Sequence, residues 1–158
     1  VTKLGSFNTL KVKGEGTIGV MQFSESNMVF KNNEDVEMKI EDNILYLSLN
    51  NDKRIILKAK SLKNIQTEDL AYVNVYNLLT DTLKINTKDK SEVNVQSLEA
   101  RYLKLKTEDK SEVHLNNINR TVPEADFEIK DKSEVTINNT RGMSISVKKG
   151  ADAKYKDY

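Results

Sequence analysis

Carboxylates are the reactive groups this chain carries in quantity. Its 158 residues include 24 Asp and Glu, 25 Lys and Arg, a single His and no Cys. Glycoside hydrolysis needs two carboxylates at a set separation in a cleft. With 24 to choose from, a pair close in sequence carries no information about such a cleft. Without Cys there is neither a disulfide nor a thiolate metal site. One histidine, His114, leaves no histidine pair for zinc, so no metal site and no cofactor is expected. No Ser lies in a nucleophile-elbow context and no phosphate-binding loop is present. Positive and negative charges nearly cancel, so the basic excess of a nucleic-acid footprint is missing. No apolar run approaches the ~20 residues of a membrane-spanning helix.

What distinguishes the charged residues is their order. The string Asp-Lys-Ser-Glu-Val occurs at Asp89–Val93, Asp109–Val113 and Asp131–Val135, at spacings of 20 and 22 residues. The flanks repeat as well: Leu83 to Thr87 precedes the first copy as Leu103 to Thr107 precedes the second. Weaker copies follow from Ile65 to Asp69 and, 18 residues beyond the third, from Lys149 to Ala153. Stacking such units places Asp89, Asp109 and Asp131 in one row, Lys90, Lys110 and Lys132 in another, and Glu92, Glu112 and Glu134 in a third. These nine residues form the candidate binding face. Like charges at the strand spacing of ~4.8 Å repel, and a Lys row beside Asp and Glu rows compensates them. The rows read either as a self-neutralising solvated face or as a periodic face for a glycan, a cation or a protein. Carboxylate rows suit Ca²⁺, but the interleaved Lys opposes it. His114 stands at an outward position held by Asn94 and Thr136 in the neighbouring units. Tyr72, Tyr76, Tyr102, Tyr155 and Tyr158 offer rings for a sugar or a protein, or else pack at corners.

The elements that must position these residues are strands. Leu83, Ile85 and Thr87 alternate with Lys84 and Asn86, and Val93 and Val95 with Glu92 and Asn94, a period of two. Short strands at a fixed period stack as coils, each burying its apolar face against the next. The expected fold is an all-β, parallel, β-helix-like solenoid with coils of about 20 residues, right-handed as parallel crossovers are. The inward rows are Leu83/Leu103/Ala125, Ile85/Leu105/Phe127, Val93/Val113/Val135 and Val95/Leu115/Ile137. With one Pro and six Gly, corners fall to Asn, Asp, Ser and Lys, among them Asn116, Asn117, Asn138 and Asn139.

One domain is expected over 1–158: a strand-rich capping half at 7–61 and five repeat coils at 62–155. In the capping half Leu10 and Val12, Ile18 and Val20, Met28 and Phe30, Val36 to Ile40, Ile44 to Leu49 and Ile55 to Leu57 read as strands. Gly14, Gly16 and Gly19 and the runs 32–35 and 50–53 read as turns.

The order of these motifs resembles the bacterial family called putative auto-transporter adhesin head GIN domain, over about Phe7 to Tyr155. The opening Phe-x-x-Leu-x-Val-x-Gly is matched by Phe7, Leu10, Val12 and Gly14. Asp42 to Leu47 approximates a second pattern of the family. Where the family has coils with Ser-Gly-Ala-Ser-Asp-Val, this chain has Asp-Lys-Ser-Glu-Val, keeping Ser91, Ser111 and Ser133. Lys in place of Gly implies a different corner, because Gly alone takes positive φ freely. The resemblance implies a β-helix-like protein that is exported or held at the envelope, in the periplasm, on the outer-membrane surface or secreted. The chain starts at Val1 without a signal-like stretch, which is read as a leader removed or trimmed.

Three functions are compatible with this. First is a non-enzymatic binding or adhesin-like module whose partner is an envelope or host glycan or a surface protein. Second is a structural module of a larger surface assembly. Third is a polysaccharide-acting β-helical enzyme.

Overall fold

Alternation of apolar and polar residues runs through nearly the whole sequence, and the computed structural model resolves it into strands. It describes residues 2–22, 27–31, 36–117, 123–138 and 143–158, and among these there is no helix. The first part holds β1 (Thr2–Leu4), β2 (Thr9–Gln22), β3 (Asn27–Lys31), β4 (Glu37–Glu41) and β5 (Ile44–Ala59). The repeats then supply strands in pairs: β6 (Asn64–Thr67) and β7 (Leu70–Leu79), β8 (Thr82–Thr87) and β9 (Glu92–Glu99), β10 (Tyr102–Thr107) and β11 (Glu112–Asn116). Two more pairs complete the chain: β12 (Glu124–Ile129) with β13 (Glu134–Ile137), and β14 (Ser144–Lys149) with β15 (Lys154–Asp157).

Each pair lies parallel and in register on the pair before it. Leu83 pairs with Leu103 and Leu103 with Ala125, while Val93 pairs with Val113 and Val113 with Val135. All four expected inward rows are buried. The strands form two ladders, β6-β8-β10-β12-β14 and β7-β9-β11-β13-β15, and the two meet at β2. The first half of β2 pairs with β6 and the second half with β7. The arrangement is thus one mostly parallel sheet wrapped around a single apolar core, as a β-helix or solenoid requires.

Several expected turns are strand instead. Leu10, Val12, Ile18 and Val20 belong to one strand, β2, which passes through Gly14, Gly16 and Gly19. The segment 50–53 lies inside β5, where the pairing with β2 jumps from Gly14↔Leu49 to Gly16↔Lys53. The bend at this jump explains both turn-like signals. Gly14 has φ +94°, and a Cβ there would stand 1.9 Å from the Leu49 carbonyl oxygen. The segment 32–35 and Asn139 lie outside the described residues.

The strands before the repeats do not precede them as a simple stack. β5 comes later in the chain than β2 yet pairs on the side of β2 away from β6 and β7. Beyond β5 the pairing turns antiparallel, with β3 and β4 on β5 and β1 on β3. The last repeat is also offset from expectation. Ile129 pairs with Lys149, so Ala151, not Lys149, stands in line with Asp131.

Candidate functional site

The corner between the two ladders is where the Asp-Lys-Ser-Glu string lies, and its residues divide by role. Asp69, Asp89, Asp109 and Asp131 have φ between 56° and 62°, in the left-handed region. Asp tolerates that conformation far better than a branched residue. The special backbone of this corner thus falls on Asp, and the Lys beside it is not in the left-handed region. Each carboxylate also closes the corner below it. Asp89 Oδ2 accepts the backbone N–H of Asp69 (3.0 Å), Asp109 Oδ2 that of Asp89 (3.1 Å), and Asp131 Oδ2 that of Asp109 (3.0 Å). The row starts at Gly14, whose N–H goes to Asp69 Oδ2.

The serines point the other way. Ser91, Ser111 and Ser133 are buried, each donating to a carbonyl three residues back, those of Lys88, Glu108 and Lys130. Each also bonds a buried threonine of the coil below at 2.8 Å: Thr67 with Ser91, Thr87 with Ser111, Thr107 with Ser133. Beyond the seam both partners change together. Val12 faces the coil that carries Ala71, and Ile129 the coil that carries Ala153. A hydroxyl is kept only where its partner is, as burial of polar groups demands.

Asp89, Asp109, Asp131, Lys90, Lys110 and Lys132 stay exposed and, with Asp69 and Leu70, line one groove of about 750 Å³ along the corner. The expected face is split here. Glu92, Glu112 and Glu134 lie beyond the buried serines, on the outer face of β9, β11 and β13, and do not line the groove. A second trough of about 830 Å³ crosses the other ladder between Lys39 of β4 and Lys106 of β10. Along it Lys88 pairs with Glu68 at 2.9 Å, which raises the Lys88 pKa, first through the hydrogen bond and then through the charge of Glu68.

On the outer face His114 is half-buried and Nε2 lies 3.3 Å from Glu92 Oε1 and 3.2 Å from Glu112 Oε2. The hydrogen bond to Glu92 is the largest cause of a raised imidazole pKa, with Glu112 adding and burial opposing. A lone histidine gives no reason to expect this cluster. The signal lies in the register, since Asn94 and His114 share a row beside Glu92 and Glu112. Tyr72 and Tyr76 lie on the same face rather than at corners, with Tyr72 Oη accepting from Asn94 Nδ2 at 3.4 Å. Tyr155 packs edge-on against Phe127, centroids 6.1 Å apart, and Tyr158 is 71% exposed. Tyr102 Oη donates to Asp126 Oδ2.

No family model matches the sequence, and no curated protein matches it. Solved structures do match along nearly the whole chain. A putative adhesin from Bacteroides fragilis superposes with a TM-score of 0.55 at 15% identity, covering 99% of this chain and 94% of that one. The fold is shared. A putative adhesin from Parabacteroides merdae gives 0.53 at 13% identity, with 99% and 94% covered. A putative lipid binding protein from Parabacteroides distasonis gives 0.58 at 10% identity, with 99% and 92% covered. None of the three is named as an enzyme.

Proposed function

We propose that the chain is a non-enzymatic binding module of the bacterial envelope, outside the cytoplasm, built as a right-handed single-domain solenoid of the GIN type. Its contact surface is the corner groove. One observation carries this: the Asp and Lys rows line one shallow, open groove, and coil stacking repeats the same pair of charges along it at the strand spacing. Such an array meets a repetitive ligand at several points, and weak contacts then combine through effective concentration. Envelope or host glycans and fibrous surface proteins are ligands of that kind. The names of the structural neighbours accord with a binding role.

The Asp and Ser of the string are explained by the corner itself. Within the groove, repetition of the string is therefore an argument for function only at Lys90, Lys110 and Lys132, whose side chains make no bond that the corner needs. The test is to change the three lysines together to Ser and to compare wild type and variant on an array of bacterial and host polysaccharides. Binding by the wild type that drops at least ~10-fold in a folded variant supports the groove. Equal binding by both moves the contact elsewhere.

A further inference from the structure

The outer face of β9 and β11 holds a donor set that lies outside the corner groove and is independent of any role for it. Glu92 and Glu112 are in-register neighbours on adjacent strands. Stacked carboxylates repel unless a cation separates them. Other glutamates of the chain bond an ammonium: Glu68 that of Lys88, Glu128 that of Lys130 and Glu134 that of Lys156. Glu92 and Glu112 differ. Among the described residues no Lys or Arg nitrogen comes within 4.0 Å of either, and their shared neighbour is the imidazole of His114. Nε2–H donates to these carboxylates; once a cation displaces that proton, the Nε2 lone pair and two negative charges face one point.

The spacing is that of a coordination shell. Bonds of ~2.0–2.2 Å to nitrogen and oxygen in a tetrahedron set the donors about 3.3–3.6 Å apart. Here Nε2 stands 3.3 Å and 3.2 Å from the two carboxylate oxygens, and all three donor atoms lie within 4.8 Å of one another. A small rotation of either Glu side chain closes the third edge. All three groups are partly buried, with side-chain exposures of 27%, 29% and 47% for His114, Glu92 and Glu112, so the strands hold their stems while the fourth side faces solvent. We propose that Glu92, Glu112 and His114 form a binding site for one zinc-class divalent cation. Nε2 excludes Ca²⁺ and Mg²⁺, which take oxygen ligands, and favours a transition ion. Three protein ligands leave a coordination position for water or for a donor atom of a partner.

His114 is the single histidine of the chain, so its ring protons give one unambiguous set of NMR signals. The experiment adds ZnCl₂ to the tag-free, EDTA-stripped full chain. The expected result is a shift of the ring signals that saturates at one equivalent, with a matching one-to-one heat in calorimetry. The variant His114→Asn, which installs the residue of the neighbouring coil, should weaken binding at least ~10-fold, and so should Glu112→Gln. Glu134→Gln, one coil further along, should leave the affinity unchanged. Ring signals that stay in place past one equivalent overturn the site, as does unchanged affinity in Glu112→Gln. The wild-type titration alone decides the matter if His114→Asn does not fold.

Discussion

Ser111 accepts from the Thr87 hydroxyl and donates to the Glu108 carbonyl, with both hydroxyl side chains buried. Ser111→Ala leaves Thr87 Oγ1 with a buried proton and no acceptor, which costs about 1–3 kcal/mol. Thr87→Val removes only a donor to Ser111 and is expected to cost less. The double change recreates the apolar pairing that Val12 with Ala71 and Ile129 with Ala153 already use, and should recover at least ~0.5 kcal/mol of the summed single losses. Denaturant unfolding of the four proteins measures this cycle, and strict additivity would mean the two hydroxyls do not act as a pair. At this scale the sequence is half legible. The repeated Asp, Lys and Glu show through because outward residues can be charged. The serine between them does not, because a buried hydroxyl flanked by charges reads as more polar surface. The Asp carboxylates likewise read as a solvated row, although each holds a backbone N–H of the coil below.

Among elements, β2 is the one that the rest depend on, since it belongs to both ladders. Its bend at Gly14 is the apex of the corner. Gly14→Ala would drive a Cβ to 1.9 Å from the Leu49 carbonyl oxygen at φ +94°, so both space and backbone forbid it. The loss should exceed about 1 kcal/mol. Gly19, in the same strand, has nothing within 4 Å of its missing Cβ, and Gly19→Ala should be neutral or stabilising by up to about 1 kcal/mol. Melting temperatures of the two variants test the contrast, and similar values would refute the bend as described. Alternation makes the strands and their inward faces readable from Leu10 to Ile137. It cannot show that two strand-like runs joined through Gly14 to Gly16 are one bent strand, because glycine there gives the same local signal as a turn. The run at 50–53 misleads for the same reason.

For the molecule as a whole, stacking leaves two ends. The antiparallel strands β3 and β4 cover one side of β5. At the other end β14 and β15 are edges, and their residues differ from those of the inner coils. Lys149 takes the inward row of Thr107 and Ile129, and its ammonium bonds the Ala153 carbonyl at 3.0 Å and that of Gly150 at 3.4 Å. Lys154 and Lys156 take outward rows held by Glu134 and Thr136. An inward charge and lysines on an edge strand discourage pairing with another chain. Lys149→Val should therefore raise the weight-average mass with concentration in sedimentation runs, relative to wild type. Equal profiles would show that Lys149 does not guard the edge. The repeat makes the parallel, in-register pairing of Leu83, Leu103 and Ala125 and of Val93, Val113 and Val135 readable. The place of β5 is not, since nothing local in a strand states which side of an earlier partner it will take.

That place of β2, between β5 on one side and the later coils on the other, sets a direction for assembly. β2 precedes β5 in the chain, and β5 can close one of its sides once residue 59 is available. The other side stays open as a template until residues 64–79 arrive, and each coil added afterwards offers the next a finished surface. Stacking of this kind runs along the chain, each coil resting on the one before it.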